Sequence, residues 1–164
     1  MRAAALAFAL VSAPAAAAPT ILFAGPAWSA IDRGATCEAA ARSARVAPKG
    51  RVQAVAGLTF TPDRRRWGEF HARLSRTPRA GASVLLTVGG QTFLLVSRGD
   101  WAWSRGPLQE QAIIAAMRGA SGLRVESRDA AGRRFSDPYA LTGAPTAIDA
   151  AAARCALRSA GKIR

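Results

Sequence analysis

Two cysteines, Cys37 and Cys155, are the only ones in the chain, and they stand near opposite ends of its folded part, 118 positions apart. A covalent bond between them would tie the opening and closing segments together before any other contact is considered. In the chain-entropy model, closing a loop of that length stabilises a fold by about 4–5 kcal/mol. Two buried free thiols are the alternative reading. A metal pair does not fit, because zinc normally takes four ligands and His71 is the only histidine; a redox pair does not fit, because no CxxC spacing occurs.

Whether the sulfurs pair depends on the compartment. Met1-Arg2 supplies a short positive start, Ala3 to Ala13 an apolar stretch, Pro14 a break, and Ala15 to Ala18 a run of small residues. That is the pattern of a secretory signal peptide, with cleavage expected after Ala17 or Ala18 and a mature exported domain over 19–164. An uncleaved anchor is the competing reading, but the apolar part is short, alanine-rich and interrupted by prolines. The expected location is periplasmic or secreted.

Of the 164 residues, 23 are Lys or Arg and 10 are Asp or Glu, so the formal net charge is +13, while 50% are hydrophobic. That much apolar material argues against disorder. The predicted order of elements begins with a short strand at Trp28–Ile31 and a stretch of helix-forming composition at 36–42. Strands follow over Val52–Thr61 and around Phe70, Ala72 and Leu74, which alternate with Glu69, His71 and Arg73. Val84 to Val88, Gly89-Gly90 and Gln91 to Val96 read as a hairpin, with Leu86 opposite Phe93, Val84 opposite Leu95 and Leu85 opposite Leu94. Its apolar residues on both faces predict cover on both sides.

Pro107 starts a predicted helix over 108–118, with Leu108, Ala112 and Ala115 as its inner stripe and Ile113, Ala116 and Met117 widening it. Leu123 to Arg128 and Arg134 to Leu141 read as two more strands, the second at an edge or with a bulge because it contains Pro138. A last helix, about 147–158, carries Ile148, Ala152 and Cys155 on one face. The expected fold class is α+β, a β-dominated antiparallel sheet or sandwich with two helices.

Few residues suggest chemistry. His71 reads as a solvated strand residue, and without G-x-S-x-G a serine-hydrolase triad has no support. Asp100, Glu110 and Asp137 form no evident acid pair, Gly89-Gly90 is a turn and not a phosphate loop, and neither a metal site, a cofactor motif nor a catalytic residue is assigned. Arg64, Arg65, Arg66 and Trp67 are the candidate anion-binding cluster, for lipopolysaccharide, anionic lipid or nucleic acid, although no recognised nucleic-acid module accompanies them. Arg73, Arg76 and Arg79 follow downstream. Trp101 and Trp103 would point to one side of an extended segment and are candidate stacking residues for sugars or bases; closing one end of the core is the plainer role for them.

The C-terminal half, with helix 108–118, Gly122-Leu123-Arg124-Val125-Glu126, the Gly132 turn and Phe135 to Gly143 leading into an alanine-rich helix, resembles the closing portion of the invasion-associated locus B family of exported alphaproteobacterial proteins. Trp28 followed by Cys37 is similar to that family's start. The resemblance implies a β-rich envelope or secreted protein and supplies no catalytic residues. The expected function is therefore non-enzymatic, acting through envelope or host-protein contacts, with binding of anionic polymers as the alternative.

Overall fold

A computed structural model describes residues 18–161. The expected signal peptide lies almost wholly outside the described residues.

Ten strands form one antiparallel sheet: β1 Thr20–Ala24, β2 Trp28–Asp32, β3 Cys37–Arg42, β4 Val55–Phe60, β5 Trp67–Arg73, β6 Val84–Val88, β7 Gln91–Arg98, β8 Trp101–Trp103, β9 Gly122–Arg128 and β10 Arg134–Ala140. Their spatial order is β1-β2-β3-β4-β5-β8-β7-β6-β9-β10. Two helices, α1 Pro107–Gly119 and α2 Ala144–Gly161, pack on its inner face. The α+β class is as expected. The sheet curls strongly, since β10, last in the order, returns to the end of β3: Ala44 N donates to Pro138 O at 2.8 Å, and Trp28 Nε1 to Ala140 O at 2.8 Å.

Inward positions alternate along the strands. Trp28 and Ala30, Cys37 and Ala39, Leu58 and Phe60, Phe70 and Ala72, and Val84, Leu86 and Val88 are all buried. The inner stripe of α2 is Ala144, Ala147, Ile148, Ala151 and Cys155, and it meets β2 and β3 where the sheet presents Ala30, Ala39 and Ala41. Small residues on both sides let helix and sheet approach closely. Cys37 and Cys155 form a disulfide across this contact, with their Cα atoms 5.8 Å apart. Beside it, buried Asp32 accepts hydrogen bonds from Arg154 Nε and Arg158 Nη2, each at 2.7 Å, so the helix is held by charge as well as by sulfur.

Residues 36–42 do not form the expected helix. Cys37–Arg42 is hydrogen-bonded between β2 and β4, and two ladders outweigh the modest intrinsic preference of alanine. β1 was not foreseen. The inner stripe of α1 is also displaced from expectation: Leu108 is 85% exposed and Ala112 and Ala115 face solvent, while Glu110, Ile113 and Met117 are buried. Ile113 and Met117, one turn apart, remove more apolar area from water than two alanines can.

The hairpin has the expected register, and both glycines of its turn adopt positive φ, 53° and 91°. It is covered on one side only. Leu86, Val88 and Leu95 are buried, but Leu94 and Val96 are exposed, because both helices occupy the inner face and nothing in the described chain covers the outer one. Pro138 stands on β10, which is at the sheet's edge and not bulged, the first of the two settings its sequence allowed. No helix among the described residues is long and apolar enough to cross a membrane.

Candidate functional site

In an antiparallel ladder, directly paired residues point to the same face. The pairs Glu38–Thr59, Thr59–Glu69, Gly57–His71, His71–Trp103 and Arg73–Trp101 therefore set one polar and aromatic patch on the outer face of β3, β4, β5 and β8. It forms an open depression of about 350 Å³ lined by residues that include Arg33, Thr36, Arg66 and Glu69 around Glu38, His71, Trp101 and Trp103.

His71 is its centre and is not the solvated residue expected from the strand pattern. It is 8% exposed, because the position opposite it in β4 is Gly57 and the imidazole lies down into that gap. Both ring nitrogens are engaged. Nε2 lies 2.8 Å from Glu38 Oε1, and Nδ1 lies 3.2 Å from Thr59 Oγ1. With Glu38 ionised, Nε2 donates to it. Burial alone would push the Glu38 carboxyl up, but the hydrogen bonds from His71 and from Arg33 Nε, the latter at 2.6 Å, outweigh it and hold the group at about 2.

One nitrogen on a carboxylate and the other on a hydroxyl hold the imidazole in a fixed position. The His71 ring lies 6.1 Å from Trp101, and Trp101 lies 6.2 Å from Trp103 with their planes 15° apart. Both indoles are half-buried, standing on the outer face, so neither closes the core. A rigid pair of near-parallel rings with exposed surface remains beside a fixed ion network.

Arg64, Arg65, Arg66 and Trp67 diverge. Arg64, in a left-handed conformation, lies over the Trp67 ring at 4.6 Å from its centroid, and Trp67 in turn packs edge-on against Phe60 inside the fold. Arg65 stands out into solvent near Asp63, and Arg66 lies 3.6 Å from Glu69 at the depression's rim. Of the four, Arg66 alone lines the Trp101–Trp103 depression. The acids considered from sequence are separately engaged: Asp100 pairs with Arg73, Glu110 accepts from Ser104 Oγ, and buried Asp137 accepts from Ser75 N.

Glu38, Thr59, Glu69 and Arg33 had no mark in the sequence as site residues, since only the strand register brings them together. Gly57 did carry a signal, because a glycine inside a strand often marks a close approach. No group of three or more potential metal ligands occurs among the described residues. No protein-family model, curated protein or solved structure matches this chain.

Proposed function

We propose that this is an exported, non-catalytic binding protein of the bacterial envelope, and that the Trp101–Trp103 face is its working surface, with an envelope glycan as ligand. The observation that carries the reading is the pair of half-exposed, near-parallel indoles fixed beside the Glu38–His71 contact. Flat apolar ring faces next to charged groups of both signs suit a sugar, which offers C–H surface on one side and hydroxyls at its edge.

Charge selects among stacking ligands. Arg33 and Arg66 are each matched by a carboxylate, Glu38 and Glu69, so the depression is nearly neutral despite the basic chain. Nucleic acid draws much of its affinity from uncompensated basic groups on phosphates, and this site offers few. The disulfide and the expected leader support an oxidising location, and the resemblance to the invasion-associated locus B family is in keeping with an envelope role.

Titration of the oxidised protein with neutral and anionic oligosaccharides from bacterial cell walls, followed by tryptophan fluorescence and calorimetry, tests the proposal. Saturable binding that is insensitive to salt and weakened about tenfold by Trp101→Ala or Trp103→Ala is expected, the loss of an aromatic contact worth ~1.5 kcal/mol. Binding that disappears with salt and ignores both substitutions would overturn it.

A further inference from the structure

A second cavity, of about 460 Å³, lies under the 79–83 loop at the rim of β6, β9 and β10, and is lined by Arg79, Arg128 and Arg134 together with Leu85 and Phe135. Arg128 and Arg134 are direct cross-strand partners on β9 and β10. Like charges so placed repel each other unless something of opposite sign lies between them. Arg79 converges on the same point: Arg128 Nη1 donates to Gly132 O at 2.9 Å, and Arg79 Nη1 lies 3.9 Å from the place a Cβ of Gly132 would occupy.

Glu126, the one acid lining the cavity, is held by Arg124 at 2.8 Å, and Asp129 nearby is taken by Arg76 and Arg133. Among the described residues no carboxylate forms an ion pair with Arg79, Arg128 or Arg134. Three arginines lining one cavity suit the several acceptor oxygens of a phosphate group.

An apolar track leaves the cavity along the sheet. Leu85 in its wall is paired with Leu94, and Val96 follows two residues on along β7, where it is paired with Trp103. Leu94 is 38% exposed and Val96 51%. Strands about 4.8 Å apart put roughly 14 Å between β8 and β9. We infer that this cavity is a binding site for the phosphate group of a lipid, with the guanidiniums on the phosphate and Leu85, Leu94 and Val96 against its apolar part.

The test is sedimentation of the oxidised protein with phosphatidylcholine vesicles, with and without phosphatidic acid, and with vesicles carrying free fatty acid at equal surface charge. Saturable binding to the phosphatidic acid vesicles is expected. Arg134→Gln or Arg79→Gln should weaken it about tenfold and Leu94→Asp by a similar factor, whereas Arg45→Gln, which removes the same charge elsewhere, should have little effect. Circular dichroism and intact mass verify that each variant is folded and oxidised.

Equal loss in Arg45→Gln, or equal binding to fatty acid vesicles, would reduce the effect to general basicity and overturn the inference. Inorganic phosphate that competes at concentrations matching the lipid phosphate would overturn the lipid part, since the apolar track would then contribute nothing. Trp101→Ala, paired with Arg98 and not with a residue of the track, should leave vesicle binding unchanged, so this result and the glycan result fail independently.

Discussion

Gly57 and His71 face each other across the β4–β5 ladder, and the imidazole fills the space into which a side chain at position 57 would project: a Cβ there would stand 2.8 Å from both Cε1 and Nε2. The missing side chain on one strand thus lets the ring on the next lie flat, reach Glu38 and Thr59, and set the position of Trp101.

Gly57→Ala is therefore expected to lift the imidazole, lengthen its contact with Glu38 and disturb the indole pair. The added methyl also meets Ala39 O at 3.0 Å, so backbone as well as side chain must give. Overpacking of this kind costs about 1–3 kcal/mol. Thermal unfolding measures the cost, and the tryptophan emission maximum should shift with it; unchanged emission would separate His71 from the aromatic face.

Replacing Cys37 and Cys155 together by serine is expected to lower stability by about 4–5 kcal/mol in the chain-entropy model, a large share of the total for a chain this size. Denaturant titration of the variant, compared with the oxidised protein, gives the figure. Alkylation without prior reduction should leave the native protein unmodified.

Acid should weaken the molecule through Glu38. Its carboxyl is held at about 2 in the folded protein against an ordinary 4.5, so its contribution is complete above the unfolded value and is lost as pH falls from about 4.5 toward 2. After allowance for solvent screening, the contribution is of the order of 2 kcal/mol at neutral pH. Glu38→Gln should be less stable than the native protein at pH 7 by that amount, and the difference should shrink below pH 4.5 and vanish near pH 2. Parallel denaturant titrations across this range would expose a difference that fails to shrink.

Glu110 has the opposite sign. Burial raises its carboxyl, the hydrogen bond from Ser104 Oγ opposes that, and the nearby charge of Glu69 adds to the rise. Ionisation therefore penalises the folded state as pH climbs past the ordinary glutamate value. Glu110→Gln keeps an acceptor for Ser104 without the charge and is expected to raise the melting temperature at pH 7, with the gain vanishing in acid. Calorimetric scans at pH 4 and pH 7 check it.

Several features were legible because local chemistry decides them. The hairpin register followed from two glycines that tolerate positive φ, the start of α1 from Pro107, and the narrowing of β10 to an edge or a bulge from a proline that cannot donate to a ladder. Where side chains compete for the same inner volume, local pattern was insufficient. The choice of Ile113 and Met117 over Leu108 and Ala115, and of strand over helix for Cys37–Arg42, rested on neighbours far away in the chain. The site shows the same division. Trp101 and Trp103 could be paired by their spacing of two, while the arginines from 64 to 66 were adjacent in sequence and divergent in space.

From its sequence alone the chain had its class of fold, its hairpin, two helices and a plausible pairing of its two sulfurs, since each depends on residues acting over a few positions or on a single covalent option. Only the folded sheet decided that Glu38, Thr59 and His71 meet, that the outer face of β7 stays bare, and that Arg79 joins Arg128 and Arg134. Those outcomes depend on strand order and register, which are set by the sum of many weak long-range contacts and carry no mark at any one position.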